Sequence, residues 1–133
     1  MSGVTIVGAL LQAHEPLTSA VAQGNIKAGR LTDTTALPTL LLRSVSRVER
    51  LMLKRVGTVR ITERIAVTAR AESYREPGLL LRLVRDACAH KTGTIAGFER
   101  CAVLTAGTGP DVLGPGDSFE RTQDFSVTFE ETV

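Results

Sequence analysis

The sequence predicts an α+β fold, with a single antiparallel or mixed β-sheet and two main helices packed on one of its faces. Two segments, Val59–Ala71 and Phe119–Val133, alternate apolar and polar residues in the way that half-buried strands do. Between them, Ser73–Ala89 carries apolar residues at the spacing of an amphipathic helix. The order helix, strands, helix, strands then favours helices layered against one sheet, whose other face is polar.

Length and composition fit one globular domain over residues 1–133, with 43% hydrophobic and 23% charged residues. Aromatic residues make up 4%, so aliphatic side chains must fill most of the core. The net charge of +2 is too small to indicate nucleic-acid binding by itself. No apolar run reaches the roughly 20 residues that a bilayer span needs, and the N-terminus lacks the pattern of a signal peptide. We therefore expect a soluble protein that is neither secreted nor inserted in a membrane.

The N-terminal segment is predicted to be helical, because its apolar residues recur three and four positions apart. We expect a first helix over Val4–Ala13. Pro16 interrupts the pattern and should open a second short turn of helix that runs through Val21. Gly24 should end it, since glycine tolerates left-handed backbone angles.

Short and long extended segments follow this helical region. We expect a brief strand over Ile26–Leu31, a loop over Thr32–Ala36, and a longer strand over Thr39–Val48. Arg50–Thr58 should form a hairpin connection or a mobile arm. In the long alternating strand, Glu63 breaks the apolar face and is expected near the edge of that face.

The second main helix has recognisable start and stop signals. Ser73 and Glu76 have the spacing of a capping box, although Pro77 would fit better if the helix began at Glu76. His90–Lys91 should close the last turn, where positive charge suits the helix dipole. Gly93 is predicted to stop the helix.

The last third of the chain reads as strand, loop and strand. Ile95–Thr105 is the first strand, and Gly107–Asp117 is a loop because it contains four glycines and two prolines. Phe119–Val133 is the closing strand. Its apolar face should anchor the core and carries Phe119, Phe125, Val127 and Phe129.

The side chains that could act as nucleophiles or bases are few. Acyl transfer needs a Ser or Cys held by a His and an orienting acid. His14 and His90 lie in no nucleophile motif, so we expect surface or helix-capping roles. Cys88 lies on the apolar helix stripe, and we expect both Cys88 and Cys101 to be reduced and buried.

The glycine-rich loop is also a weak candidate for ligand binding. Asp111 and Asp117 flank it without calcium-loop spacing. Gly107–Gly109 is followed by Pro110 and a strand, whereas a phosphate-binding loop needs a helix there. The sequence thus predicts no catalytic residue, no metal and no cofactor, and a protein that is not an enzyme.

A basic stretch stands out in the first half of the chain and contains a single acid, Glu49. Its basic residues are Arg43, Arg47, Arg50, Lys54, Arg55 and Arg60. Three interpretations stay open: a solvated hairpin, a phosphate-contacting arm, or a subunit contact with acids of the last strand. The stretch contains no aromatic residue for base stacking, which disfavours single-stranded nucleic acid.

The order of short motifs along the chain adds a resemblance. The motifs are Ile26-Lys27-Ala28-Gly29-Arg30, Ala36-Leu37-Pro38-Thr39-Leu40-Leu41-Leu42, Ser44-Val45-Ser46, Ser73-Tyr74, Val84-Arg85-Asp86-Ala87 and Glu120-Arg121-Thr122-Gln123-Asp124-Phe125-Ser126-Val127. With the long strand between them, they span nearly the whole chain. This layout resembles the tail-terminator (tail-completion) proteins of long-tailed bacteriophages and prophages.

The resemblance implies an assembly role. Such proteins form a ring, expected here to be a hexamer, that docks on the tail tube, stops its polymerisation and presents a surface to the head connector. The implied partners are further copies of the chain, the tail-tube protein and a connector or head-closure protein, with DNA only as cargo and no membrane. The implied location is the head-proximal end of the virion tail, after assembly in the host cytoplasm. The particle could be an infectious phage or a domesticated one such as a gene transfer agent.

Closed cyclic symmetry needs two different patches on each subunit. The hypothesis is that a basic patch of one subunit, Arg47, Arg50, Lys54 and Arg55, meets an acidic patch of the next, Glu120, Asp124 and Glu130. Two alternatives remain. One is a head-closure or neck connector protein, and the other is a small nucleic-acid-binding regulatory domain that uses the stretch Arg43–Arg60.

Overall fold

The computed structural model describes residues 2–29, 37–50 and 57–132. Within them, three α-helices are present: α1 (Ser2–Ala13), α2 (Glu15–Ala20) and α3 (Glu76–Cys88). The strands are β1 (Ile26–Ala28), β2 (Thr39–Glu49), β3 (Thr58–Ala71), β4 (Lys91–Ile95), β5 (Phe98–Thr108), β6 (Val112–Leu113) and β7 (Phe119–Thr132). Short 3₁₀ turns lie at Gln23–Asn25 and Pro115–Asp117.

The strands form one mixed sheet in the order β1-β2-β3-β7-β5-β4, and β6 pairs with β7 where β5 leaves it. The β1–β2 pair is parallel, and the other described pairs are antiparallel. β3 and β7 pair from Thr58↔Thr132 to Ala71↔Phe119 and form the centre of the sheet. The predicted α+β class, with one sheet, is confirmed.

The core lies between the helices and the sheet face formed by the odd-numbered residues of β3 and β7. On β7, Phe125, Val127 and Phe129 are fully buried, and on β3 Ile65 is. Burial of such a side chain contributes about 1.5–3 kcal/mol. The alternation in the sequence therefore predicts correctly which face of these strands meets the helices.

Several predicted elements agree closely with the structure. α1 ends at Ala13, and α2 surrounds Pro16, as expected. β1, β2, β3 and β7 occupy the predicted segments, with β1 shorter than expected. β2 and β3 pair as antiparallel strands, whereas residues 51–56 between them and the predicted loop 32–36 lie outside the described residues.

The start of α3 differs from the predicted capping box. The helix begins at Glu76, its N-cap residue is Arg75, and no side chain caps it. The capping box of Ser73 and Glu76 is therefore wrong, whereas the alternative start at Glu76 is confirmed. Pro77 occupies the first turn and has no N–H, so the helix starts beside the proline rather than at the serine.

The end of α3 and the strand after it also differ. The helix ends at Cys88, and His90 has a left-handed φ of 60°. Instead of a helix end and stop, Lys91–Ile95 forms β4, which pairs with β5 through a turn at Ala96–Gly97. Positive φ at both turn residues is what a tight hairpin requires. The predicted strand Ile95–Thr105 therefore spans the last residue of β4, the turn and most of β5.

Glu63 lies inside the buried face rather than near its edge, and 1% of it is exposed. Its Oε1 accepts the backbone N–H of Gly3 at 3.1 Å, at the N-terminus of α1. Arg47 Nη1 lies 3.8 Å from the same oxygen. A carboxylate is favourable at a helix N-terminus, and this hydrogen bond ties the start of α1 to β3.

Candidate assembly surface

The sheet face away from the helices is lined by the even-numbered residues of β3 and β7. These side chains pair across the two strands: Arg70–Glu120 at 2.7 Å, Arg64–Asp124 at 2.8 Å, Thr68–Thr122 at 2.9 Å and Thr62–Thr128 at 3.5 Å. Arg64 reaches Asp124 diagonally, since Ser126 is its direct neighbour, and the other three pairs are directly opposite. Cross-strand pairs of opposite charges or of threonines stabilise a sheet by roughly 0.2–1 kcal/mol each. The predicted polar face is thus a ladder of matched cross-strand pairs.

The three acids predicted for a subunit contact belong to this ladder or lie beside it. Glu120 pairs with Arg70, Asp124 pairs with Arg64, and Arg100 Nη1 lies 3.5 Å from Glu130 Oε1. Each of the three carboxylates therefore already has an arginine of its own chain. A basic residue of a second subunit would have to bind a carboxylate that already pairs with an arginine of its own chain.

The predicted basic residues are placed differently from one another. Arg47 lies on the helix side and pairs with Glu131 at 2.8 Å. Arg50 is exposed, and its backbone N–H donates to the carbonyl of Arg60 at 2.9 Å. Lys54 and Arg55 lie outside the described residues. The structure thus joins one basic residue to β7 within the chain, and the contact between subunits stays a prediction.

Exposed apolar side chains lie beside the paired charges on the same outer face. Val48 of β2 is 63% exposed and lies next to Thr62, and Leu104 of β5 is 51% exposed and lies next to Ser126. Between them the residues are small or polar. The outer face therefore combines matched charges with exposed aliphatic side chains, which suits contact with another protein, and it also has a depression of about 370 Å³ lined by Thr68, Arg70 and Glu120 among others.

A second candidate surface is an open groove of about 350 Å³ between α3 and strands β5 and β7. Its lining includes Gly78 and Arg85 of α3, Thr108 of β5, and Arg121 and Gln123 of β7. Sequence motifs alone do not indicate that these residues form a site. Gln123 was detectable in principle, since it is a polar residue at an inward-facing position of an alternating strand.

Gln123 is 1% exposed and uses its whole amide group. Its Oε1 accepts from Arg85 Nη1 at 3.1 Å and from Thr108 Oγ1 at 2.8 Å, and its Nε2 donates to the carbonyls of Gly107 and Asp124 at 3.0 Å. It therefore links α3 to the irregular end of β5, where the register shifts between Thr105 and Thr108.

The two cysteines are free and buried, as predicted. Burial raises the pKa of the Cys88 thiol to about 12, with a small opposing effect from Lys91. Burial also raises the pKa of Cys101, whose Sγ donates to the carbonyl of Phe98 at 3.2 Å. Both thiols stay protonated at neutral pH, which makes them poor nucleophiles.

The other candidate residues are dispersed. His14 precedes α2, and His90 lies in the α3–β4 turn. Asp111 accepts a hydrogen bond from the Tyr74 hydroxyl at 2.8 Å, and this bond raises the pKa of Tyr74. Across residues 2–29, 37–50 and 57–132, no group of three or more His, Cys, Asp or Glu could hold a metal ion. Over the same residues, every helix is too short or too polar to cross a membrane.

Comparison with known proteins finds a likeness among solved structures. No protein-family model and no curated protein matches the chain. Among solved structures, it is similar to a chain from the virion of a native gene transfer agent (GTA) particle, with a TM-score of 0.71 and 11% identity. The match covers 96% of this chain and 94% of that chain. At this identity, the likeness establishes a shared fold.

Proposed function

We propose that the chain is a structural, non-catalytic protein of a phage-like particle, and that it acts as a tail terminator. In this role, copies of the chain form a ring, most simply a hexamer, on the end of the tail tube. The ring stops tube polymerisation and offers a surface to the head connector. The observation that carries the proposal is the fold likeness to a virion chain over nearly the full length of both chains.

The sequence supports the narrower part of the proposal. Its motif order resembles that of tail terminators, and this evidence is independent of the fold likeness. The outer sheet face fits a subunit contact, because its charges are matched within the chain and Val48 and Leu104 are exposed. A face of this kind loses little solvation of unpaired charge when it is covered.

The proposed ring contact uses carboxylates that are already paired within one subunit. Glu120, Asp124 and Glu130 hold Arg70, Arg64 and Arg100 of their own chain. A carboxylate has about four acceptor positions, so each can accept a further donor from a neighbouring subunit. In this scheme Arg50, Lys54 and Arg55 supply those donors, while Arg47 stays with Glu131.

The solution mass tests the proposal most directly. Light scattering after size exclusion, at low and moderate salt and over a range of protein concentrations, should give a mass that climbs towards six subunits. Negative-stain images of the same fractions should show rings. A strict monomer that also fails to bind the end of purified tail tubes would contradict the proposal.

Two alternative functions remain open. A head-closure protein of the neck would form a ring but bind the connector rather than the tube, so pull-down with each separates the two roles. A nucleic-acid-binding domain would use Arg43 and Arg50, which are both exposed. It would show DNA binding by a monomer or dimer, and that binding would fall steeply with salt.

A further inference from the structure

We propose that the groove between α3 and strands β5 and β7 is a docking site for a partner protein, and that it receives an acidic side chain flanked by apolar residues. The groove of about 350 Å³ is large enough for one or two side chains. Its polar centre consists of Arg85 and Arg121, with Thr105 and Thr108 beside them. This site goes beyond the tail-terminator role, since it would exist whether or not the chain forms a ring.

The two arginines have unused capacity to donate hydrogen bonds. Arg85 Nη1 donates to the neutral amide of Gln123 at 3.1 Å. Arg121 Nε makes no hydrogen bond, and it forms a long ion pair with Asp111 Oδ1 at 3.5 Å. The Arg121 side chain is 42% exposed, so solvent weakens this ion pair. The other oxygen of Asp111 is held by Tyr74. An incoming carboxylate would supply the hydrogen bond that Arg121 Nε lacks and could bind two guanidinium groups at once.

The start of α3 adds to the positive potential of the groove. No side chain caps this helix, so its N-terminus keeps the positive end of the helix dipole, although Pro77 has no N–H and the N–H of Leu79 already donates to the carbonyl of Arg75 at 3.3 Å. Gly78 lies in this first turn and lines the groove, and a Cβ built there would be 3.6 Å from Arg121 Nη1. Cationic side chains and a helix N-terminus therefore meet at one place, which favours an anion.

The surroundings of the groove favour a protein rather than a nucleic acid. Tyr74 and Leu113 are 64% and 75% exposed. Tyr74 packs edge-on against Phe119 with ring centroids 5.9 Å apart, and Leu113 pairs with Phe119 in the sheet. Tyr74 also donates to Asp111, the ion-pair partner of Arg121, so these side chains lie at the Arg121 end of the groove. An apolar rim with aromatic and arginine side chains is typical of the strongest contact points in protein interfaces.

Two acidic residues near the groove also favour a protein partner over a nucleic acid. Asp111 faces Arg121, and Glu76 begins the same helix turn that carries Gly78. A polyanion such as DNA would be repelled by these carboxylates, whereas a single acidic side chain can enter between them. The site therefore fits one carboxylate presented on an apolar segment.

The test uses the side-chain Nε–Hε signals of the arginines in nuclear magnetic resonance. The probe is the blocked peptide acetyl-Leu-Glu-Leu-amide, and acetyl-Leu-Gln-Leu-amide is its matched control. We expect a saturable shift of the Arg85 and Arg121 signals with the glutamate peptide. Binding of the glutamine peptide should be weaker by about tenfold, the loss expected when charge-assisted hydrogen bonds are removed.

Variants of single residues test whether the peptide binds in the groove. Arg121→Gln should abolish the shift, and Arg82→Gln, an exposed residue of the same helix outside the groove, should leave it unchanged. Leu113→Ser alters only an exposed side chain beside the groove and should weaken peptide binding without disturbing the fold, so the test does not depend on the stability of the Arg121 variant. Thermal unfolding checks each variant.

Three outcomes would overturn the proposal. The first is no saturable shift with the glutamate peptide, and the second is equal binding of the two peptides. The third is tighter binding of inorganic phosphate than of the glutamate peptide, which would identify a phosphate site instead. None of these outcomes bears on the solution mass, so the tail-terminator proposal stands or fails separately.

Discussion

Glu63 and Gly3 form a buried hydrogen bond between β3 and the start of α1. A Cβ at Gly3 would lie 2.8 Å from Glu63 Cδ and Oε1, closer than real contacts allow, whereas a Cβ at Gly8 would meet only Leu42 Cδ2 at 3.8 Å. Both glycines lie in α1, but a side chain would clash only at Gly3. They therefore provide a matched pair of substitutions.

Gly3→Ala should lower the free energy of unfolding by about 1–3 kcal/mol, because the buried carboxylate has to move. Gly8→Ala should raise it by roughly 0.5–1 kcal/mol through helix propensity. Urea denaturation of both variants measures the difference. Equal stability of the two variants would show that α1 does not rest on Glu63.

Gln123 is a second buried polar residue, and its hydrogen bonds join α3 to the end of β5. Gln123→Leu keeps the volume but leaves Thr108, Arg85 and the carbonyl of Gly107 without this partner. We expect a loss of about 2–4 kcal/mol, from two or more unsatisfied groups. Ser126→Ala on the outer face should change stability by less than about 0.5 kcal/mol, and denaturant midpoints compare the two.

The titration of Cys88 gives a prediction at alkaline pH. Its pKa is raised from 9.0 to about 12 in the folded protein, so the folded state holds the thiol proton more tightly than the unfolded state does. The resulting stability is complete below pH 9 and is lost as the pH rises towards 12, by up to about 1.4 kcal/mol per unit. Cys88→Ala should therefore show a shallower decline of unfolding free energy than the native chain over this range, and parallel declines would refute the assignment.

At the scale of elements, the sequence predicts best what a single segment determines by itself. β3 and β7 follow from a period of two, and α1 with its break at Pro16 follows from local rules. The β4–β5 hairpin was missed because Gly93 resembles a helix stop, although the structure places it in a strand with φ of 104°. Local composition cannot distinguish these two uses of glycine.

The candidate site was less predictable for the same reason. The basic and acidic residues were visible in the sequence, but their partners were not, since Arg64 and Asp124 are 60 positions apart. Glu63 and Gln123 resembled interruptions of an apolar pattern. Glu63 bonds to α1 and Gln123 bonds to α3, and these contacts arise only when the helices pack on the sheet.

At the scale of the molecule, the proposed ring contact can be tested by charge reversal. Arg50→Glu, Lys54→Glu and Arg55→Glu together should shift the assembly equilibrium towards monomer, because they replace attraction to the β7 carboxylates by repulsion. Reversal of Lys27, Arg82 and Lys91, which are exposed elsewhere, makes the same change in net charge and is the control. Unchanged ring mass in the first variant would sink the charge pairing, and disruption by both would point to a net-charge effect.

The place of β7 in the sheet also has a consequence for biosynthesis. This strand follows every other strand in the sequence, yet it lies between β3 and β5 and supplies Phe125 and Phe129 to the core. While the ribosome is still making it, β1–β3 and β4–β5 are two separate fragments, each with an open edge that could bind another nascent chain. Completion of the sheet is therefore a late event of synthesis, and chaperones that shield strand edges should matter most for nascent chains that end before Phe119.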